Sequence, residues 1–157
     1  MDRRRPTNAA VSKEGSCAND AIERPRPDSG LISVYYTNCQ SLCNKLDELR
    51  VYVGGADRPM IICLTETWTN DTIKDHELQL NGYTLKIRKD RIGTLGGRGG
   101  GILVYTDDEL VADEDTTFDP SPFVQAACLR ISTGYGTFVK LVTVYRSPNS
   151  SSDNNGA

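Results

Sequence analysis

Glu66, Thr67 and Trp68 follow directly on the apolar run Met60-Ile61-Ile62-Cys63-Leu64. A carboxylate at the mouth of a buried strand is either paired with a neighbour or bound to a cation, because an isolated charge there is costly. Asn38 stands in the same relation to the run Leu31-Ile32-Ser33-Val34-Tyr35-Tyr36. Two oxygen donors, each at a strand end, suit Mg²⁺, which takes few protein ligands and keeps several waters. A third segment, Tyr145-Arg146-Ser147-Pro148-Asn149, ends a strand in a turn. Arg146 offers the planar fork of donors that fits phosphate, and Tyr145 offers a hydroxyl for a phosphate oxygen.

The elements that position these groups follow from pattern. Leu31 to Thr37 is β-branched, aromatic and apolar, hence a strand. Ser41 offers an N-cap oxygen, and Leu42, Leu46, Leu49 and Val53 recur at helical spacing up to Gly54-Gly55. Met60 to Leu64, after Pro59, is apolar on both faces and predicts a central strand. Strand, helix and strand in this order predict a βαβ-type connection. Asn70 to Glu77 is polar and predicts a loop or short helical turn. Asn81-Gly82 predicts a turn, Tyr83 to Arg88 a half-exposed strand, and Ile102 to Tyr105 another. Phe123 to Ile131 and Thr137 to Tyr145 predict a hairpin about Thr133-Gly134-Tyr135-Gly136. Residues 1–29 lack apolar periodicity and read as a disordered arm, and 150–157 as a disordered tail, around a single domain at 30–149.

Other motifs are set aside. Gly93 to Gly101 holds six glycines in nine residues, but Ile102-Leu103 follow where a phosphate loop needs Lys and Ser or Thr. A dinucleotide fold needs a helix next, not a strand. The run reads instead as a turn that lets backbone pass close to another strand. The only histidine, His76, reads as surface. Five cysteines form no framework spacing and read as free thiols. Cys39 and Cys43 lack the second pair a zinc site needs. No stretch reaches the roughly 18 apolar residues of a spanning helix, which argues against membrane embedding. The net charge of −3 argues against strong nucleic-acid binding, whereas Lys86, Arg88, Lys89, Arg91 and Arg98 form a basic strip that would favour it beside a phosphate site. That strip and the acidic stretch from Asp107 to Asp119 both read as solvated surface.

Taken together, Asn38, Thr65-Glu66-Thr67-Trp68, Gly82-Tyr83, Gly99-Gly100-Gly101 and Tyr145-Arg146-Ser147-Pro148-Asn149 resemble the endonuclease/exonuclease/phosphatase superfamily of deoxyribonuclease-like enzymes. The pattern is most similar to the endonuclease at the N-terminus of non-LTR (LINE- or jockey-like) retrotransposon polyproteins. Ser147 stands where that family has Pro. The resemblance covers about residues 31–150. It implies an α/β (α+β) fold, part of a two-layer β-sandwich with flanking helices. It implies Mg²⁺ on Glu66 and Asn38, scissile phosphate at Tyr145, and supporting roles for Arg146 and Asn149. It further implies a DNA partner, no small-molecule cofactor beyond the divalent ion, and nuclear or cytoplasmic action. The expected activity is a nick in target DNA whose 3′ hydroxyl primes reverse transcription.

The family's later Asp-x-Asn and Ser-Asp-His elements are expected beyond these residues, so the chain holds roughly half of such a site and is expected to be inactive alone. Half a sandwich would also leave an apolar sheet face in water. At roughly 25 cal/mol per Å², several hundred Å² cost on the order of 10 kcal/mol. A phosphatase or phospholipase of the same superfamily and a non-catalytic interaction module remain open alternatives.

Overall fold

The computed structural model describes residues 31–90, 99–121, 123, 125–134 and 136–146. The strands are β1 (Val34–Asn38), β2 (Ile61–Thr65), β3 (Tyr83–Lys89), β4 (Ile102–Asp107), β5 (Ala112–Glu114), β6 (Gln125–Gly134) and β7 (Thr137–Tyr145). One α-helix, α1 (Leu46–Val53), and two 3-10 turns, Leu42–Asn44 and Asp75–Leu78, accompany them. The proposed arm, the polar tail, Asn149 and most of the glycine run lie outside the described residues.

Every residue of β2 is buried, as its unbroken apolar run requires. It pairs parallel with β1 and antiparallel with β4, in a sheet ordered β1-β2-β4-β3. The parallel β1–β2 pair, joined through α1, is the expected βαβ connection. A second sheet is ordered β5-β6-β7, with β6 and β7 forming the expected hairpin.

Alternate residues of β2 serve two cores. Ile62 and Leu64 face outward with Leu103 and Tyr105, under Leu46, Leu49 and Val53 of α1. Ile61 and Cys63 face the second sheet and pack with Ile102, Val104, Ala127, Leu129 and Ile131. The sheets are stacked with β2 over β7, β4 over β6, and β3 over β5 and β6. β1 lies beyond β2 and projects past the β7 edge.

Three expectations change. Ser41 does not cap a helix. It sits at φ 87 with no side-chain capping bond, a 3-10 turn intervenes, and α1 begins only at Leu46. Its backbone N–H instead donates to Glu66 O, which ties it to the loop after β2. The two sheets also cover each other, so the unsatisfied surface is concentrated at strand edges rather than over a whole inner face. Finally, the described charges of both runs lie mostly at the surface but are paired there. Lys86 pairs with Asp113, Lys89 with Glu114, Lys140 with Asp115, and Arg58 with Asp107. Arg88 binds both Asp75 and Asp90.

Candidate functional site

β1 and β2 end together, with Asn38 in register with Thr65, the residue before Glu66. Their backbone contact continues past the strands. Cys39 N–H donates to Thr65 O at 2.8 Å, Ser41 N–H to Glu66 O at 3.0 Å, and Leu42 N–H to Thr67 O at 2.9 Å. The glycine segment closes the other side, with Trp68 N–H donating to Gly100 O at 3.0 Å and Thr67 N–H to Gly101 O at 3.4 Å. Gly101 is the close approach expected of the glycine run. Its φ is 92, and a Cβ there would stand 2.3 Å from Thr67 Oγ1. The other side of Gly101 is fixed by its N–H donating to Gln125 Oε1 at 2.8 Å, at the start of β6.

Four non-glycine residues have positive φ among the described residues: Gln40 at 47, Ser41 at 87, Glu66 at 54 and Trp68 at 57. All lie in these two loops. Each such conformation costs roughly 1–3 kcal/mol and persists only where surroundings over-determine it. The bonds between the loops provide that over-determination. Strain confined to the two loops that carry Asn38 and Glu66 marks this end of the sandwich as the place where geometry is set at a cost.

The Glu66 carboxylate is half-buried and held at both oxygens. The indole Nε1–H of Trp68 donates to Oε2 at 2.7 Å. The hydroxyl of Tyr145, at the end of β7, donates to Oε1. Tyr145 packs against the inter-sheet core, and Asn38 shares a face with Thr65 on the same side of the first sheet. Tyr36 adds a hydroxyl contact to Thr65 Oγ1 at 3.1 Å. Behind the loop, Thr67 Oγ1 meets Thr69 Oγ1 at 3.0 Å, and Thr69 donates to Asp90 Oδ1 at 2.6 Å. Arg88 grips Asp90 in turn.

Of the residues anticipated from sequence, Glu66 and Tyr145 meet directly and Asn38 stands on the neighbouring strand tip. Arg146 is exposed and next in sequence to Tyr145. Asn149 falls outside the described residues. His76 is exposed in the Asp75–Leu78 turn and lines a groove with Arg50, Gln79 and Tyr105. Sequence reasoning assigned no role to Trp68. Its position two residues after the carboxylate was the available signal, but only the left-handed turns at 66 and 68 bring the indole back onto it. The basic strip does not flank an open anion site in its described part, since Lys86, Arg88 and Lys89 are engaged by acids.

One carboxylate and one side-chain amide are hard oxygen donors, a set that fits Mg²⁺, which takes few protein ligands and keeps several waters. Among the described residues no three of His, Cys, Asp and Glu converge as a metal cluster. The four described cysteines, Cys39, Cys43, Cys63 and Cys128, are free thiols, and burial pushes the Cys39 thiol up to about 11. No described helix is long and apolar enough to cross a membrane.

No protein-family model and no curated protein matches the sequence. Among solved structures, the AP endonuclease LMAP from Leishmania major is similar, with a TM-score of 0.56 at 17% identity. The match covers 78% of this chain and 44% of that one, so the chain spans less than half of the length of that enzyme. In fold, therefore, this is a mixed α+β chain with two packed sheets and few helices, consistent with part of a deoxyribonuclease-like sandwich.

Proposed function

We propose that the chain is the N-terminal part of a Mg²⁺-dependent DNA endonuclease of a non-LTR retrotransposon, which nicks target DNA to prime reverse transcription. The observation that carries this reading is the hydrogen bond between Glu66 and Tyr145, two residues singled out for separate chemical reasons and brought together beside the tip of β1. Glu66 and Asn38 would hold the cation. Tyr145 would present its hydroxyl to the scissile phosphate, with Arg146 and Asn149 supporting phosphate contact. When bound, the cation stabilises charge on the phosphate and the leaving oxygen. Trp68 would meanwhile hold the carboxylate in one orientation, and Tyr145, with one proton to donate, would exchange Glu66 for the phosphate when substrate binds. The attacking water is not served by any residue assigned here, so the chain alone is proposed to be inactive.

Calorimetric titration with Mg²⁺ tests the cation. Glu66→Gln keeps the side-chain shape and one oxygen but removes the charge, and it should weaken affinity by about tenfold or more. Unchanged affinity in the variant would remove the basis of the reading. Plasmid nicking by a polypeptide carrying the whole domain tests the substrate.

The internal pairing of Lys86, Arg88 and Lys89 favours one second reading. With those cations occupied, less of this surface is available to track a long polyanion. A phosphatase or phospholipase of the same fold would need only a local phosphate site. Phosphate release from lipid headgroups without nicking would support that branch.

A further inference from the structure

Glu66 is held at both carboxylate oxygens, and both holds lead to one rung of the second sheet. Oε1 takes the hydroxyl of Tyr145. Oε2 takes the indole of Trp68, whose own turn is fixed by its backbone N–H on Gly100 O. The glycine segment is fixed in turn by Gly101 N–H on Gln125 Oε1 at 2.8 Å. Gln125 and Tyr145 stand opposite each other, in register across β6 and β7.

The residue type at 125 departs from the pattern of its strand. In-register residues of an antiparallel pair share a face, and Tyr145 packs against the inter-sheet core. Ala127, Leu129 and Ile131 follow Gln125 at alternate positions, and all lie in that core. The alternation calls for an apolar side chain at 125. A half-buried amide stands there instead. A polar group so placed is kept where it has a hydrogen-bond partner, and here the partner is the Gly101 N–H.

That partner is a segment that needs outside support. Gly99, Gly100 and Gly101 have φ of 107, 75 and 92, conformations that glycine reaches freely but does not select by itself. Ile102 is anchored in the first sheet, opposite Thr65 and Lys89. The glycines before it must still present Gly100 O and Gly101 O to the N–H groups of Trp68 and Thr67. Glu66 and Trp68 hold positive φ themselves, and such backbone persists only where its surroundings over-determine it. Gln125 adds that constraint from the second sheet, on the same rung that delivers Tyr145.

We propose that Gln125 is a positioning residue for the Glu66 carboxylate, acting through Gly101 and the Trp68 turn. Its consequence for cation binding rests on the reading of Glu66 as a Mg²⁺ ligand. Trp68 is the only tryptophan in the chain, so its indole N–H is a single reporter of the Glu66 contact. Solvent exchange of that proton is measured by NMR on the full chain without metal, and Mg²⁺ affinity by calorimetric titration. Gln125→Met keeps the length and removes the acceptor. It should speed indole exchange by about fivefold and weaken Mg²⁺ affinity by about the same factor, as expected for one net hydrogen bond. Gln125→Glu keeps an acceptor oxygen at the same reach and should restore the wild-type exchange rate. Arg130→Met, at an exposed position further along β6, should leave both readouts unchanged. Should Gln125→Met fail to fold, Gln125→Asn, which draws the amide back by one methylene, takes its place with the same expectation. Unchanged indole exchange in Gln125→Met, or equally fast exchange in Gln125→Glu, would overturn the positioning role. So would wild-type Mg²⁺ affinity in Gln125→Met. A wild-type chain that binds no Mg²⁺ would overturn the cation reading of Glu66 instead, and the metal-free exchange rates would still decide the role of Gln125.

Discussion

Glu66 shows how much a single side chain can depend on its neighbours. Its carboxylate meets an indole from its own turn and a phenol from the far end of the described chain. Trp68→Phe keeps an aromatic ring and deletes only the donor. A hydrogen bond to a charged group contributes about 2 kcal/mol, so urea unfolding should show a loss of that order, and Mg²⁺ affinity should fall as the carboxylate gains freedom. A variant as stable as wild type would show that the indole does not hold Glu66. Gly101 is the second critical residue. Gly101→Ala forces a Cβ onto Thr67 Oγ1 in backbone that disfavours side chains, and a destabilisation of about 3 kcal/mol is expected from overpacking and left-handed strain together. Thermal unfolding measures it. The chemical types at Glu66, Asn38 and Tyr145 were legible in sequence because each ends an apolar run. The Trp68 contact was not, because it depends on φ at two non-glycine residues that no propensity rule would place there.

At the level of elements, pairing between strands uses the charges that local reading sends to solvent. Lys86 and Lys89 of β3 meet Asp113 and Glu114 of β5, and Lys140 of β7 meets Asp115 just after β5. Such partners lie tens of residues apart, which is why the surface position of these charges was legible from their own windows but their pairing was not. β5 itself escaped notice because Ala-Asp-Glu has no apolar alternation, and only its ladder to β6 makes it a strand. The long apolar strands were legible for the opposite reason, since their own composition demands burial. Lys140 and Thr117 hold the Asp115 carboxyl down to about 2. A carboxylate depressed on folding contributes stability above its unfolded pKa of roughly 4, and that contribution disappears as pH falls from there through about 2. Carbon-13 NMR of the Asp115 carboxyl should therefore show a midpoint near 2 that Lys140→Met returns toward the ordinary range. A wild-type midpoint near 4 would refute the pairing.

For the whole molecule, the α+β class and the parallel β1–β2 unit followed from the order of apolar runs, whereas the way the two layers share the chain did not. Both sheets are represented among the described residues, so each covers the inner face of the other. The Glu66–Tyr145 bond joins positions 79 residues apart. Closing a flexible loop of that length costs about 4 kcal/mol of chain entropy, which a solitary hydrogen bond does not repay. The Glu66 carboxylate is therefore expected to gain this contact only once the hairpin that carries Tyr145 has docked, so that this end of the sandwich completes late in folding.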